Sequence, residues 1–345
     1  YRRLLTVNTV MIGIVLGLFS LVTPATPIGL IVHWFSWHYI FFINVPVGLG
    51  ALWLAHRYMP DYRGDPRRPL DVIGLVLFGS GAALLSWLLE IFGEHQIDAT
   101  SAAVLLALSL SLLAAYVLHA RETAHPLLRL ALFQVRTFRV SVVGGFVTRL
   151  GVGGMPFLLP LLYQLGLGMP AWQSGLLMMP VAAAAMFMKL IASRVLARFG
   201  YRRLLTVNTV MIGIVLGLFS LVTPATPIGL IVLLGLALGF FNSLQYTSMN
   251  SMAYADIDTP DSSMASTIAS SMQQMSMSFG LACGSLVAGW YLGDLPQTDH
   301  AAVTTALHYA FLTLGGLTAL SSLSFWSLRP GDGESVSRGR VPKPE

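Results

Sequence analysis

Two cations interrupt apolar runs that otherwise carry no charge: Arg149 in the stretch GGFVTRLG and Lys189 in MFMKLI. A charged side chain near the middle of a bilayer costs on the order of 2.5–3.5 kcal/mol on insertion scales, so it marks either a pathway for ligands and ions or a structural pair. Arg149 lies about 16 Å into its run at about 1.5 Å per helical residue, which is mid-bilayer depth. A guanidinium there could clamp a carboxylate or phosphate through its planar fork. It could also be a structural charge paired with helix carbonyls or with Glu90. Lys189 is about 10 Å from the end of its run, close enough to snorkel to the headgroups.

Amides accompany the cations. Asn242, Gln245, Asn250, Gln273 and Gln274 sit in apolar surroundings, where an amide either lines a polar cavity or ties neighbouring helices together. Interhelical contact suits Asn250, and a cavity suits Gln245 and Gln273. Met264, Met272, Met275 and Met277 would suit a surface that repacks around different ligands, or a plain core or lipid face. Away from helix ends the apolar runs hold at best one carboxylate, Glu90. Two cations and several amides therefore favour an anionic or chelate-like ligand over a cationic one.

The elements that must position these residues follow from composition. Of 345 residues, 55% are apolar and 10% charged, with a mean hydropathy of +0.72. A soluble domain carries about 25% charged residues, so this chain belongs in lipid. The net charge of +5 is spread in short clusters between apolar runs, a pattern of membrane orientation rather than of a nucleic-acid face. Cys283 is the single cysteine; no metal-ligand spacing, phosphate loop or nucleophile motif accompanies it. No catalytic residues and no metal site are therefore expected, and membrane lipid and a small molecule, not nucleic acid, are the expected partners.

Spanning helices need about 20 mostly apolar residues. On that rule the fold class is an all-α integral membrane protein with ten spans, at 4–23, 39–57, 71–92, 100–119, 138–164, 175–196, 204–223, 226–250, 262–291 and 303–327. Asp71 is the expected N-cap of the third. Trp34 and Trp37 with His33 and His38 read as an interfacial belt. The loops that fall on one side hold Arg2 and Arg3; Arg57, Arg63, Arg67 and Arg68; Arg121, Arg129, Arg136 and Arg139; Arg194, Arg198, Arg202 and Arg203; Arg329, Arg338, Arg340 and Lys343: 18 of the 20 Lys and Arg. The opposite loops hold Glu94, Asp98, Asp294 and Asp299 instead. Cytoplasmic loops concentrate Lys and Arg, so both termini are expected inside.

Residues 1–32 are identical, letter for letter, to residues 201–232. Transporter repeats survive only as weak symmetry, so this copy reads as a recent duplication or an artefact.

The stretch WHYIFFINVPVG, Trp37 to Gly48, resembles the signature joining helices five and six of fourteen-helix drug:proton antiporters, the EmrB/QacA branch of the major facilitator superfamily. The segment from His125 to Phe138 is similar to the loop after that branch's two extra central helices. Arg198, Gly200, Arg202 and Arg203 resemble the second-half copy of the superfamily's cytoplasmic GxxxDRxGRR loop, with Ala197 in the Asp position. The resemblance covers residue 33 to about 328. It implies a proton-coupled efflux permease, for drugs or small organic anions and chelates, in the bacterial inner membrane. No cofactor is implied beyond the proton gradient, and a periplasmic adaptor is left open. The substrate pathway would include Arg149, Lys189, Asn242, Gln245, Gln273 and Gln274.

The implied domain organisation is a duplicated segment at 1–32, a remnant of the N-terminal half at 33–58, a central two-helix insertion at 59–137, a six-helix C-terminal half at 138–328 and a disordered cytoplasmic tail at 329–345. Five helices that the family places before Trp37 are not found, and span 4–23 stands where the fifth would be. The expectation is a truncated transporter; the alternative is a chimeric, pseudogene-like membrane protein that carries no flux.

Overall fold

The computed structural model describes residues 44–58, 71–93, 98–123, 126–258, 261–293, 299–329 and 331–333. Among them every regular element is helical. The expected span at 4–23, the belt around Trp34 and Trp37, and the loops carrying Arg63, Arg67 and Arg68 lie outside the described residues. The chain divides into two compact units, residues 1–68 with 170–179 and residues 69–169 with 180–345.

In the first unit, helix α1 runs Asn44–Tyr58, with Pro46 in its first turn, where a missing N–H costs nothing. It covers most of the second expected span.

The second unit opens with a hairpin. Helix α2 (Val72–Gly93) starts at Asp71, whose Oδ1 accepts the Gly74 N–H at 2.8 Å, the N-cap expected from sequence. Helix α3 (Ala99–Glu122) is capped by Asp98, which accepts from the Thr100 and Ser101 N–H groups at 3.1 and 3.0 Å. His119 and Arg121 in its last turn complement the negative end of the helix dipole. The two helices approach where Gly81 faces Leu112 and Leu113, and the buried Ser109 hydroxyl donates to the Gly81 carbonyl at 2.9 Å. Helix α3 leaves most of its apolar surface exposed.

A 3-10 turn (Leu130–Gln134) leads into α4 (Arg136–Val152), the short α5 (Met155–Leu161) and a π-turn (Leu162–Gly166), which together make one 31-residue span. The breaks fall at Gly153, Gly154 and Pro156, as residues that cannot sustain a regular helix dictate. Helix α6 (Ala171–Phe199) is followed by α7 (Tyr201–Leu218) through the single residue Gly200, at φ +70°. That left-handed conformation is open to glycine at little cost. Then come α8 (Ile228–Ala253), α9 (Ser262–Leu292) and α10 (His300–Ser321), the last extended by a 3-10 turn to Ser327.

Small residues let these helices touch. Gly153 and Gly154 of the α4–α5 break lie against Gly280 and Gly284 of α9: a Cβ on Gly284 would sit 2.6 Å from the Gly154 Cα. Gly213 of α7 meets the Gly315 carbonyl of α10. Without a hydrophobic drive in lipid, such close backbone packing holds membrane helices together.

Among the described residues seven helices are long and apolar enough to span, 100–122, 136–166, 171–199, 201–221, 228–253, 262–292 and 300–327, with a shorter apolar helix at 72–88. All eight coincide with expected spans. The expectation of a disordered tail from Arg329 needs correction at its start. Asp332 accepts the Arg329 N–H at 2.8 Å and takes the Arg136 guanidinium in a two-pronged pair at 2.8 and 2.9 Å. Sequence composition cannot show that a carboxylate has found a partner nearly two hundred residues away.

Candidate functional site

Arg149 projects from α4 one turn above Gly145, whose missing side chain leaves room for the guanidinium. It is 5% exposed. Its Cζ lies 4.6 Å from the ring centroid of Tyr246 on α8, over the π face. Such a contact is worth about 2 kcal/mol when desolvated. The Tyr246 side chain is also hydrogen-bonded to Arg149 and to Asn242, one turn earlier on α8. Helices α4 and α8 are also pinned about two turns before Arg149 on α4, where the Ser141 hydroxyl donates to the Met249 carbonyl. The described ion pairs include none with Arg149, and Glu90 has no described side chain. A cation held by a ring instead of a carboxylate keeps its full charge, and so can still attract an anion.

Of the residues expected to line a pathway, the structure thus brings Arg149 and Asn242 together through Tyr246. Tyr246 itself was missed. Its signal was available: Asn242, Tyr246 and Asn250 recur at four-residue spacing along α8, a polar line on an apolar helix. Gln273 is half-buried and Gln274 exposed, both on α9, which packs along α4. Lys189 is exposed on α6. Asn250 is exposed rather than held between helices.

Gln245 needs correction. Expected to face a cavity, it is 1% exposed and its amide is spent between helices. Its Nε2 donates to Thr209 Oγ1 at 2.8 Å and its Oε1 accepts from Asn208 Nδ2 at 2.8 Å. Asn208 Nδ2 also donates to the Phe241 carbonyl at 2.8 Å. Gln245 faces α7, not Arg149, and polar residues fall on more than one side of this half of α8, so the sequence does not show which of them meets which neighbour.

At the other end of the bundle, Arg198, Arg202 and Arg203 are exposed around the Gly200 turn. The Arg198 guanidinium reaches over the Phe199 ring at 6.0 Å. Tyr201 is buried, and its hydroxyl hydrogen-bonds Ser251 at 2.9 Å, tying the turn to α8. Other basic loop residues have acidic partners: Arg129 meets Asp261 at 2.7 Å and Arg136 meets Asp332 at 2.8 Å. The Thr137 hydroxyl donates to Asp256 at 2.8 Å.

Among the described residues, lipid-length helices knit by glycines, with Arg149 the one buried cation and a basic inter-helix turn, define a multi-pass membrane protein. The chain belongs to the Major Facilitator Superfamily, which matches residues 6–274. It is similar to the protein named "Putative multidrug resistance protein MdtD" of Serratia proteamaculans (strain 568), 33% identical over 297 residues, 86% of this chain and 62% of the relative. The protein of the same name from Pectobacterium atrosepticum is 33% identical over 308 residues, 88% of this chain and 65% of the relative. That of Escherichia coli O7:K1 is 34% identical over 300 residues, 86% and 63%. The chain spans a little under two thirds of the length of these relatives. Membership of this family makes the chain a transporter-family protein, not an enzyme.

Proposed function

We propose that the chain acts as a proton-coupled efflux permease of the bacterial inner membrane, exporting drugs, small organic anions or chelates. Residues 138–328 form its six-helix C-terminal half, and residues 59–137 an inserted hairpin at its edge. The observation that carries the reading is Arg149: a buried guanidinium resting on Tyr246, with no carboxylate paired to it among the described ion pairs. Asn242 orients the phenol, and Gln273 and Gln274 supply amides on the adjacent helix. Lys189 is the second cation of the pathway. The relatives' name, multidrug resistance protein, supports export, and the sign of the buried charge supports an anion. Substrate approach requires Tyr246 to yield part of the guanidinium, because Arg149 is closed over here.

The test is transport by the chain in proteoliposomes under an imposed pH gradient, with fluorescein as anionic probe and ethidium as cationic probe. Fluorescein flux is expected, lowered by Arg149→Lys, which keeps the charge but loses the fork, and abolished by Arg149→Ala with the protein still folded. If Arg149→Ala transports as well as the parent, Arg149 is no part of the site; if it fails to fold, the residue is structural. Absence of flux for either probe from a folded parent chain would favour the non-transporting alternative, which the identical 32-residue copy also favours.

A further inference from the structure

Two clefts at the basic end of the bundle adjoin one another, and neither belongs to the Arg149 site. The first, of about 460 Å³, is lined by Arg202, Arg203 and Arg329, with Phe199 and Trp326 among its walls. Asp332 also borders it, but that carboxylate is occupied by Arg136 and by the Arg329 N–H. Three arginines therefore line the cleft with no free counter-charge among its described lining residues. The second, of about 340 Å³, is an almost wholly apolar trough between α6, α7 and α8, walled by residues such as Val195, Leu204, Met211 and Phe240. The clefts share Phe199, Arg203 and Val207, so the arginine-lined mouth and the apolar trough lie side by side on a common wall. Trp326 is 63% exposed and Phe199 49% exposed beside the mouth, the placement of aromatic side chains at a headgroup layer.

We propose that this composite cleft binds an anionic phospholipid, with the phosphate against Arg202, Arg203 and Arg329 and one acyl chain lying in the trough past Val207 and Leu204. A mouth lined by three arginines fits a lipid phosphodiester, and an apolar trough sharing its wall fits a hydrocarbon chain. The N-terminus of α7 adds its positive dipole end at the same place, with no acidic residue in its first turn to offset it. Lipid bound there would brace the Gly200 turn, where one residue joins two spanning helices.

The experiment uses the full chain purified in detergent, with dioleoyl-phosphatidylglycerol or dioleoyl-phosphatidylcholine added, and counts retained lipid by native mass spectrometry. Phosphatidylglycerol is expected to be retained in preference, with affinity falling roughly fivefold for each of Arg202→Gln, Arg203→Gln and Arg329→Gln at low salt. Val207→Trp, which fills the trough, should weaken dioleoyl-phosphatidylglycerol but spare a short-chain phosphatidylglycerol. Brominated phosphatidylglycerol should quench the fluorescence that the chain loses on Trp326→Phe, a readout that needs none of the arginine variants to fold. Equal retention of both lipids, no effect of the arginine changes, or no quenching of Trp326 overturns the site. Full competition by glycerol phosphate would show a free-phosphate site instead and overturn the lipid assignment.

Discussion

Arg149 and Tyr246 depend on each other through ring electrostatics and a hydrogen bond, and the two contributions can be separated. Tyr246→Phe retains the π face and loses the hydroxyl, so the guanidinium should stay buried and probe flux should fall modestly. Tyr246→Leu removes both and leaves a desolvated charge unsupported. That variant is expected to lose about 2 kcal/mol of stability or more, read as a lower melting temperature in detergent and reversed in part by Arg149→Met. Gln245 behaves differently, because its bonds join α7 to α8 and touch no charge. Gln245→Leu should cost about 0.6–1.7 kcal/mol, the usual range for such membrane hydrogen bonds, and leave fluorescein flux per folded molecule unchanged. Loss of flux without loss of stability would return Gln245 to the pathway.

The α2–α3 hairpin and the α4–α9 contact are each held by a device at a single level of the helix. Asp71 ties the start of α2 to the end of α3 and to the loop beyond: its side chain is 5% exposed and takes His119 Nε2 at 2.8 Å and the Leu127 N–H at 3.0 Å. Burial pushes the Asp71 carboxyl pKa up, but the hydrogen bonds from Gly74, His119 and Leu127, with the His119 charge, outweigh it and hold the pKa below 3.8. A carboxylate depressed on folding stabilises the fold above its unfolded pKa and loses that contribution as pH falls through the folded value. Asp71→Asn should therefore lower the melting temperature at pH 7, and the gap from the parent should close below about pH 4. On the other contact, Gly280→Ala would push a Cβ into the Arg149 carbonyl and to 2.7 Å from the Gly153 Cα. Both obstacles are backbone, so about 1–3 kcal/mol of overpacking strain is expected. Gly229→Ala on α8, with nothing within 4 Å of the new Cβ, should show little change and serves as the control.

For the molecule as a whole, orientation is the property most open to test. From the clustering of Lys and Arg, the loops at Arg129 and Arg338 are expected in the cytoplasm and the α5–α6 connection outside. In intact cells a membrane-impermeant thiol reagent should label Gln173→Cys and spare Arg129→Cys and Arg338→Cys. External labelling at Arg129 would invert the arrangement. The membrane class and the described spans were legible in the sequence because lipid cannot solvate a bare peptide group, so each crossing must be a continuous apolar helix of bilayer length. The Asp71 cap was legible for a local reason, since a cap needs only its own first turn; Asp98 caps α3 in the same way but was read only as a loop acid. The rotation of each helix about its axis was not legible. Helices apolar on every side carry no amphipathic stripe to show which face turns inward. Rotation is decided by where small residues such as Gly153 and Gly280 let two backbones meet, and those partners lie far apart in the chain. Hence only the tertiary structure could turn Gln245 toward Asn208, lay Tyr246 under Arg149, and set a basic turn beside an apolar trough.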